Sequence, residues 1–545
     1  MSLQTSCCAV SAITMFLGLL LASTVPITEG ANILFFIGNG GASHRIAMTP
    51  FANGLAEEGH SITVLTAEKP DGNDTKINYY LPKEVVRHFT EMRNSGAFPD
   101  FYGMRSKGLM IATWLVVPSF GITVCEKLYE DPEYIAWLKS NKFDLVIVDG
   151  LFNECGYGIA HLHNAKIIVF SVSSVLPWGI EPFGIPDESS SITDMMFHFP
   201  SQMNFFQRLV TAVMPIIWQM YREYLYLPRL NRITKEGLGL DDFPSFAELE
   251  RNVSLSLVNT HVAQEFPRSL PPNIVPVGGI SWVEKRKPLP KKMDDFINRG
   301  KEGFVYISFG SLLDFTTFPD EIQQRFINAL LKFPNIQFIW KLPKTPDNLP
   351  KNFYVDKWLP QQDILLHPKI RAFITHSGLG GVNEAIFSSV PLICFPVFAE
   401  QDYNANLVEQ KEFGIKMEIV DLTENELENA ILKILGDNKY TENMKKITKQ
   451  FQDRPLPALQ SGLWWTNFVL RQESTEYIRP SSVNQSWWVK RQIDVWIFLF
   501  ILLISINVVT IYVIYKIFKR CFMVSSGVKV IKGGKSNKGT KTKLN

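Results

Sequence analysis

The feature that most limits how this chain can fold is a short apolar segment followed directly by a glycine-rich turn. Residues 371–375 have the length and character of a buried parallel strand, and residues 376–381 form a turn that opens a helix. Backbone N–H groups at the start of a helix lack partners within the helix, and the helix dipole favours negative charge there. The pattern therefore predicts a strand–turn–helix unit of an α/β fold, with a turn that can hold a diphosphate.

Side chains suited to the rest of a nucleotide sugar stand on both sides of this unit. Trp358 offers a flat surface on which a base can stack, and Glu384 offers a carboxylate for ribose hydroxyl groups. Glu400 and Gln401 follow the next apolar segment and supply polar groups for a sugar. Residues 358–401 together predict a nucleotide-sugar site.

This segment resembles the signature of the UDP-glycosyltransferases, in particular of the membrane-bound animal UDP-glucuronosyltransferases. The residues that fall in family order and spacing are Trp358, Gln361, His376, Gly378, Glu384, Pro391, Pro396 and Gln401. The resemblance implies that Trp358 stacks on uracil, that Gln361 helps to hold uracil and ribose, and that His376 binds the pyrophosphate. It also implies that Glu384 takes the ribose hydroxyls and that the Glu400–Gln401 pair holds the sugar.

Two positions depart from the family pattern. Gly380 stands where family members commonly carry Asn, so one contact to pyrophosphate or sugar is missing or is made by the backbone. Glu400 stands where Asp is commoner, which lengthens the side chain by one methylene. We expect the leaving phosphate to be stabilised by backbone N–H groups near Ser311 and from Gly378 to Gly381, together with His376.

Strand and helix patterns alternate in two halves, and 545 residues are too many for one ordinary core. In the first half, the predicted strands are residues 32–37, 60–65, 145–148 and 167–172, and the predicted first helix is residues 46–58. The resemblance implies the GT-B fold, an α/β architecture in which two Rossmann-like domains face a cleft. We expect an acceptor-binding domain at residues 31–282, a charged, proline-containing linker at 283–292, and a UDP-sugar-binding domain at 293–480. The last of these includes a closing helix at 455–471.

Both ends of the chain indicate a membrane-anchored protein of the secretory pathway. Residues 1–30 contain a short apolar segment that predicts a signal peptide. Residues 495–515 form an apolar run long enough to cross a bilayer, and residues 516–545 form a basic tail without acidic residues. The positive-inside rule makes the tail cytoplasmic and the rest luminal, as in a single-pass type I protein. The last residues match the di-lysine pattern that family members use for retrieval to the endoplasmic reticulum. Glycosylation sequons begin at Asn73, Asn252 and Asn484.

Composition argues against several other classes of protein. The formal net charge of +2, without basic residues interleaved with aromatics, argues against nucleic acid as a partner. Of the six cysteines, only Cys125, Cys155 and Cys394 are expected in the lumen, which does not make a disulfide scaffold. The sequence holds neither zinc-type Cys/His pairs nor an Asp-x-Asp motif. We therefore expect no metal and no bound cofactor, and a UDP-sugar as donor substrate.

Two polar residues of the first half are candidates for the chemistry. Transfer of a glycosyl group to an alcohol needs a base for the hydroxyl proton, and His44 stands at the carboxyl end of the first strand. Asp149 ends another strand, so its carboxylate can hold the other ring nitrogen. Family members carry His and Asp at these two matching positions as a catalytic dyad. We expect an inverting transfer of glucuronosyl or glucosyl to a small lipophilic acceptor, as in detoxifying conjugation.

Several alternatives stay open at this level. Gly38-Asn-Gly40 suggests a dinucleotide-linked enzyme, although Ser43 replaces the third glycine of that fingerprint. The alternative function is a catalytically inactive, membrane-anchored binding protein with the same fold. Residues 197–230 predict helices that belong to the core, to a lipophilic acceptor pocket or to a membrane surface. Arg45 is a cation available to a glucuronate carboxylate, but the identity of the donor sugar stays open. The oligomeric state also stays open, and both homo- and hetero-oligomers are possible.

Overall fold

The structure, a computed structural model, describes residues 30–68, 70, 75–197, 199–283, 287–346 and 349–527. The predicted signal peptide up to residue 29, the sequon at Asn73, residues 284–286 of the predicted linker and the tail beyond residue 527 lie outside this range. The chain divides into two units, with the boundary between Val483 and Asn484.

The first half of the larger unit is a parallel sheet. Its strands are β1 (Asn32–Ile37), β2 (Ser61–Thr66), β3 (Ile77–Tyr80), β4 (Leu145–Asp149), β5 (Lys166–Ser171), β6 (Leu255–Val258) and β7 (Ile274–Pro276). Their order is β3-β2-β1-β4-β5-β6-β7, so the order reverses between β1 and β4. Phe35 packs into the core on one face of the sheet and Phe36 into the core on the other, because both faces are covered. The loops after β1 and β4 therefore meet at the carboxyl edge.

Helices cover both faces of this sheet. They are α1 (Ala42–Glu57), α2 (Lys83–Asn94), α3 (Phe101–Ser106), α4 (Met110–Tyr129), α5 (Pro132–Ser140), α6 (Cys155–His163), α7 (Phe205–Tyr221), α8 (Leu227–Leu238) and α9 (Phe246–Arg251). A π-helical segment, Arg222–Tyr226, joins α7 to α8, and a short 3₁₀ turn lies at Pro177–Gly179.

The second half repeats this plan. Its strands are β8 (Phe304–Ser308), β9 (Gln337–Lys341), β10 (Phe353–Asp356), β11 (Ile370–Thr375), β12 (Leu392–Cys394) and β13 (Gly414–Lys416). Their order is β10-β9-β8-β11-β12-β13, again parallel, with the reversal between β8 and β11. The covering helices are α10 (Lys291–Arg299), α11 (Asp320–Leu331), α12 (Gln361–Leu365), α13 (Leu379–Phe387), α14 (Gln401–Gln410), α15 (Glu424–Gly436) and α16 (Asn438–Gln452), with a 3₁₀ turn at Phe315–Thr317.

Two elements tie the halves together. α17 (Ala458–Arg471) follows the second half but packs on α1, where a Cβ at Gly54 would lie 3.1 Å from the side chain of Leu463. In the other direction, Arg105 of α3 donates to Asp402 and Glu418 of the second half at 2.7 Å each. Phe101 of the same helix stacks on Phe398 with ring centroids 4.1 Å apart. These contacts fix the two sheets relative to each other.

Two helices begin at positions that differ from those predicted. α1 begins at Ala42 instead of residue 46, because Gly41 adopts an extended backbone and the helix starts directly after it. His44 is therefore a first-turn residue of α1 and does not precede the helix. α13 begins at Leu379, so Gly380 and Gly381 belong to its first turn. Both groups of candidate residues thus lie at helix N-termini, where backbone N–H groups are unpaired.

A disulfide joins Cys125 of α4 to Cys155 of α6, with the two Cα atoms 5.9 Å apart. The pairing was not predicted, because the two residues are 30 positions apart and become neighbours only when both helices pack on the sheet. Cys394 is free and buried.

The smaller unit holds the apolar C-terminal helix. It contains a short helix, α18 (Trp487–Lys490), and a long one, α19 (Ile493–Gly527). Residues Ile493–Met523 have the length and apolar character needed to cross a membrane, and their apolar side chains are exposed. The predicted span at 495–515 falls inside this helix. Short 3₁₀ turns, Glu476–Ile478 and Ser481–Asn484, precede α18.

Candidate active site

A cavity of about 760 Å³ lies between the two sheets, at the carboxyl ends of their strands. The first half contributes the segments after β1, β4 and β5, and the second half contributes the segments after β8, β9, β11 and β12. Both order reversals open onto this cavity, as is usual for ligand sites in parallel α/β sheets. The structure brings every predicted site residue to its lining: His44, Asp149, Ser311, Trp358, Gln361, His376, Gly378, Gly380, Gly381, Glu384, Glu400 and Gln401.

His44 and Asp149 meet at the wall formed by the first half. Nδ1 of His44 lies 2.6 Å from Oδ2 of Asp149, and the side chains are 15% and 1% exposed. Oδ1 of Asp149 accepts the N–H of Leu151 at 3.3 Å, so both oxygens of the carboxylate are held. A neutral imidazole that donates Nδ1–H to the carboxylate keeps Nε2 unprotonated. The pair can therefore accept a proton at Nε2 and spread the resulting positive charge.

Two asparagines lock the loops that carry this pair. The N–H of Asn39 donates to Oδ1 of Asn153 at 2.6 Å, and Nδ2 of Asn153 donates back to the carbonyl of Asn39 at 3.2 Å. Gly40 stands between them and the pair: a Cβ there would lie 3.1 Å from Oδ2 of Asp149 and from Cβ of His44. The glycine is therefore needed for the close approach of the two loops.

The environment of His44 makes it a stronger base than free imidazole. Its pKa is raised above the ordinary value of 6.5. Burial is the largest single influence and lowers the pKa, but the charge and hydrogen bond of Asp149, together with the charge of Glu400, outweigh it. Glu400 comes from the second half, and its own pKa is raised by burial. The two halves of the cavity are thus electrostatically coupled through His44 and Glu400.

His376 lies on the opposite wall, between two glycines. A Cβ at Gly310 or at Gly378 would lie 2.7 Å from Nε2 of the ring. Burial, the largest influence, and the charge of Lys341 lower the pKa of His376 to about 4, while a hydrogen bond with the Ser308 backbone acts in the opposite direction. The ring is therefore neutral at physiological pH and can donate a hydrogen bond without carrying charge.

Two glutamines of α12 hold Glu384. Nε2 of Gln361 donates to Oε2 at 2.5 Å, and Nε2 of Gln362 donates to Oε1 at 2.9 Å. The hydroxyl of Tyr306 donates to Oε1 of Gln361 at 3.1 Å and so fixes the orientation of that amide. Burial raises the pKa of Glu384, although both amides and the charge of Lys341 act in the opposite direction. Each carboxylate oxygen keeps acceptor capacity for a pair of hydroxyl groups.

Trp358 stands at the rim with 51% of its surface exposed. Nζ of Lys341 lies 4.3 Å from the centroid of the Trp358 ring and also donates to the carbonyl of Gly310 at 3.1 Å. The lysine thus covers one face of the indole and connects the end of β9 to the turn after β8. The flat ring suits stacking with a nucleotide base, and the cation beside it suits the charged group attached to that base.

Gln401 fixes a turn at the cavity, whereas Gly380 leaves open space beside its backbone. Oε1 of Gln401 accepts the N–H groups of Val397 and Phe398 at 2.8 and 3.1 Å, which fixes the turn before α14 and leaves its amide N–H groups as donors. A Cβ at Gly380 would meet no atom within 4 Å. A side-chain Cβ at position 380 would therefore meet no steric obstacle.

The wall formed by the first half is largely apolar. Five aromatic side chains contribute to it: Phe89, Phe98, Phe101, Trp114 and Phe120. Among the described lining residues, none comes from residues 197–230, so that aromatic segment does not form the pocket. Arg45 is buried and does not line the cavity. The lysines and arginines that do line the cavity are Arg93, Lys287 and Lys341. In the described part of the chain, no three His, Cys, Asp or Glu side chains are grouped as metal ligands.

Sequence reasoning missed several residues that shape this site. Lys341 and Asn39 both stand at the carboxyl end of a strand, and that position could have identified them as candidate site residues. Gln362 adjoins a predicted residue and carried no separate signal. Tyr306 lies inside a strand, where its apolar neighbours in sequence indicate a core residue and give no sign that its hydroxyl group has a role.

Comparison with known proteins gives a consistent result. Residues 34–529 match the family described as "UDP-glucoronosyl and UDP-glucosyl transferase". UDP-glucuronosyltransferase 1A3 of Rattus norvegicus is 29% identical over 507 residues, which cover 91% of this chain and 93% of the relative. UDP-glucosyltransferase 2 of Dactylopius coccus is 28% identical over 482 residues, covering 87% and 90%.

Among solved structures, the spinosyn forosaminyltransferase SpnP aligns with 81% of this chain and 100% of its own, with a TM-score of 0.54 and 15% identity. At that identity the likeness concerns the fold alone. The expected GT-B architecture, two Rossmann-like sheets that face a cleft, is confirmed.

Proposed function

This chain belongs to the family of UDP-glucuronosyl and UDP-glucosyl transferases, and from that membership we propose that it moves the sugar, with inversion, to the hydroxyl group of a small lipophilic acceptor. The observation that carries the proposal is the 2.6 Å contact between Nδ1 of His44 and Oδ2 of Asp149 at the wall of the cavity. A histidine oriented by a buried carboxylate is suited to take the acceptor proton.

The proposed step is a single displacement. Nε2 of His44 removes the hydroxyl proton while the acceptor oxygen attacks the anomeric carbon, and the bond from that carbon to the diphosphate breaks on the opposite side. The proton remains on His44, and the electron pair leaves with UDP. Asp149 stabilises the imidazolium that forms, and its hydrogen bond keeps Nε2 directed to the acceptor.

The departing diphosphate is proposed to lie at the N-terminus of α13. Negative charge grows there as the bond breaks, and the unpaired N–H groups of Gly380 and Gly381 can receive it. His376 adds a neutral donor, and Lys341 adds a positive charge. Trp358 is the proposed stacking surface for uracil, with Gln361 and Glu384 for uracil and ribose, and Ser311, Glu400 and Gln401 complete the proposed donor site.

The Gly378→Ala variant is expected to bind UDP about tenfold more weakly, because its methyl group would occupy space 2.7 Å from the His376 ring. Gly436→Ala is the matched control, since a Cβ there meets no atom within 4 Å and the residue does not line the cavity. Titration calorimetry with UDP measures both affinities. If the two variants bind UDP equally well, the ring of His376 does not take part in holding the diphosphate.

The acidic limb of the pH profile is expected to report His44. Because the base must be unprotonated and its pKa is raised, kcat/KM should fall with an inflection above pH 6.5 as the pH decreases. Asp149→Asn removes the charge that raises this pKa, whereas burial still lowers it. The inflection of the variant should therefore move to lower pH while its maximal rate falls. An inflection at the same pH in both enzymes would assign it to another group.

The proposed location is the membrane of the endoplasmic reticulum, with both sheets in the lumen. The apolar helix α19 and the basic residues that follow it support this orientation. The disulfide between Cys125 and Cys155 supports an oxidising compartment. The sequon residues Asn252 and Asn484 are exposed, as glycosylation requires.

The proposal is tested by incubating microsomes that carry the chain with a panel of phenols and labelled UDP-glucuronate or UDP-glucose. We expect transfer from one donor to a phenolic oxygen, with inversion at the anomeric carbon determined by NMR of the product. Microsomes without the chain are the control for resident enzymes. UDP binding without transfer from either donor would instead favour the inactive binding protein.

A further inference from the structure

The outward face of α7 is apolar along its whole length. Its exposed large side chains recur at intervals of three and four residues, and each exposes between 40% and 73% of its surface: Phe205, Phe206, Leu209, Val213, Ile217 and Met220. The opposite face, with Thr211, Pro215 and Trp218, is buried. A surface helix in water normally shows the reverse arrangement, with its polar side outward. We call these six exposed residues the α7 stripe.

The stripe is held outward by specific contacts at both ends and on the inner face. Asn204 and Gln207 form a reciprocal capping box at the N-terminus, with hydrogen bonds of 2.9 and 3.0 Å. Trp218 packs on Trp178 from within, with ring centroids 5.6 Å apart. At the other end, Arg222 is buried and paired with two carboxylates. The direction of α7 is thus built into the fold.

The helix α4 also exposes apolar side chains next to a wall of the cavity. Leu109, Ile111 and Leu115 are 48%, 54% and 72% exposed, whereas Trp114 is buried and lines the cavity. Trp114 packs on Trp178 as Trp218 does, with centroids 5.9 Å apart. α4 and α7 are therefore anchored to one indole and both expose apolar side chains.

The charges around the stripe identify what can cover it. Between residues 204 and 232, the only acidic residue is Glu223, and the exposed basic residues are Arg208, Arg229 and Arg232. An apolar stripe bordered by arginines is complementary to a bilayer surface with anionic headgroups. The same chain carries α19, a helix long and apolar enough to span a membrane, and a tether of that kind raises the effective concentration of lipid for the first unit.

We propose that the α7 stripe docks on the bilayer surface as a second membrane contact, separate from the spanning helix and beyond the proposed transfer activity. The six side chains enter the boundary between headgroups and acyl chains, and Arg208 and Arg232 contact the headgroups, whereas Arg229 is paired with Glu126. The helix lies in the interface and does not cross the membrane, because its inner face is occupied by the protein core.

The test uses the full chain with a protease site inserted after Val483, reconstituted into vesicles of phosphatidylcholine with and without phosphatidylserine. After the tether is cut, the first unit should still float with the vesicles, more so with phosphatidylserine. The triple variant Phe206→Ser, Leu209→Gln and Ile217→Gln should lower the bound fraction at least about tenfold. The matched control changes three exposed apolar residues elsewhere: Val262→Ser, Leu331→Gln and Leu432→Gln.

Three results would overturn the proposal: release of the wild-type unit from both vesicles, equal release of both triple variants, or a released wild-type unit that sediments as a dimer while the variant is a monomer. The last outcome would assign the stripe to a second copy.

A second measurement avoids the polar substitutions. A dye on Val213→Cys, in a Cys521→Ser background, should be quenched by nitroxide lipids, whereas a dye on Leu432→Cys should not. Equal quenching at both positions would also reject docking.

Discussion

The His44→Ala variant is expected to transfer sugar about 10²- to 10⁴-fold more slowly than the wild type, with little change in its affinity for UDP. The side chain is 15% exposed at the cavity wall and Nδ1 lies 2.6 Å from Asp149, so its removal takes away the proton acceptor and leaves the donor side intact. The residual rate should come from positioning and from the groups around the diphosphate.

Control variants separate loss of the base from loss of structure. His161→Ala removes an exposed histidine of α6 whose ring contacts Phe243 at a centroid distance of 5.1 Å, and it should transfer at nearly the wild-type rate. Initial rates with a phenol and calorimetry with UDP are measured for all three proteins. Similar rates for His44→Ala and the wild type would remove His44 from the proposed mechanism.

The parts of this site that the sequence predicted share one property: they are local. Residues 371–381 combine a strand, a turn and a helix start within one segment, so their chemistry is visible without any knowledge of packing. His44 and Asp149 are distant in sequence, yet each follows a buried strand, and parallel strands present their carboxyl ends at one edge. The alternation of strands and helices predicted an α/β fold, whereas the GT-B architecture was implied by the family resemblance.

What the sequence did not predict depends on contacts between distant elements. Lys341 reaches Trp358 because β9 and β10 are neighbours in the second sheet. The partners of Cys125 and Arg222 are likewise set by how helices pack. In α7, apolar residues occupy both faces, so hydrophobic periodicity cannot tell which face is outward. The buried inner face, with Trp218 packed on Trp178, and the contacts at the two ends of the helix decide that.

The Arg222→Ala variant is expected to lose about 3–5 kcal/mol of stability. Arg222 is 1% exposed and lies in the π-helical segment after α7. Its Nη1 donates to Oε1 of Glu154 at 2.7 Å, and its other terminal nitrogen pairs with Glu250. Tyr226 also donates to Glu154, at 2.7 Å. Without the guanidinium, two buried carboxylates lose the cation that pairs with both of them, so the penalty is much larger than for a surface ion pair.

Arg229→Ala is the matched control, because Arg229 pairs with Glu126 at 2.9 Å but is 51% exposed, and its loss should cost at most about 1 kcal/mol. Thermal unfolding of the full chain in detergent should show a Tm lower by roughly 3–5 °C for Arg222→Ala alone, because the unfolding entropy of a unit this large is about 1 kcal/mol/K. Burial already raises the pKa of Glu250 to about 7 with Arg222 present. Loss of the arginine raises it further, so the native variant binds protons more readily and its deficit should shrink as the pH is lowered. A deficit that is the same at low and high pH would mean that lost packing, and not uncompensated charge, destabilises the variant.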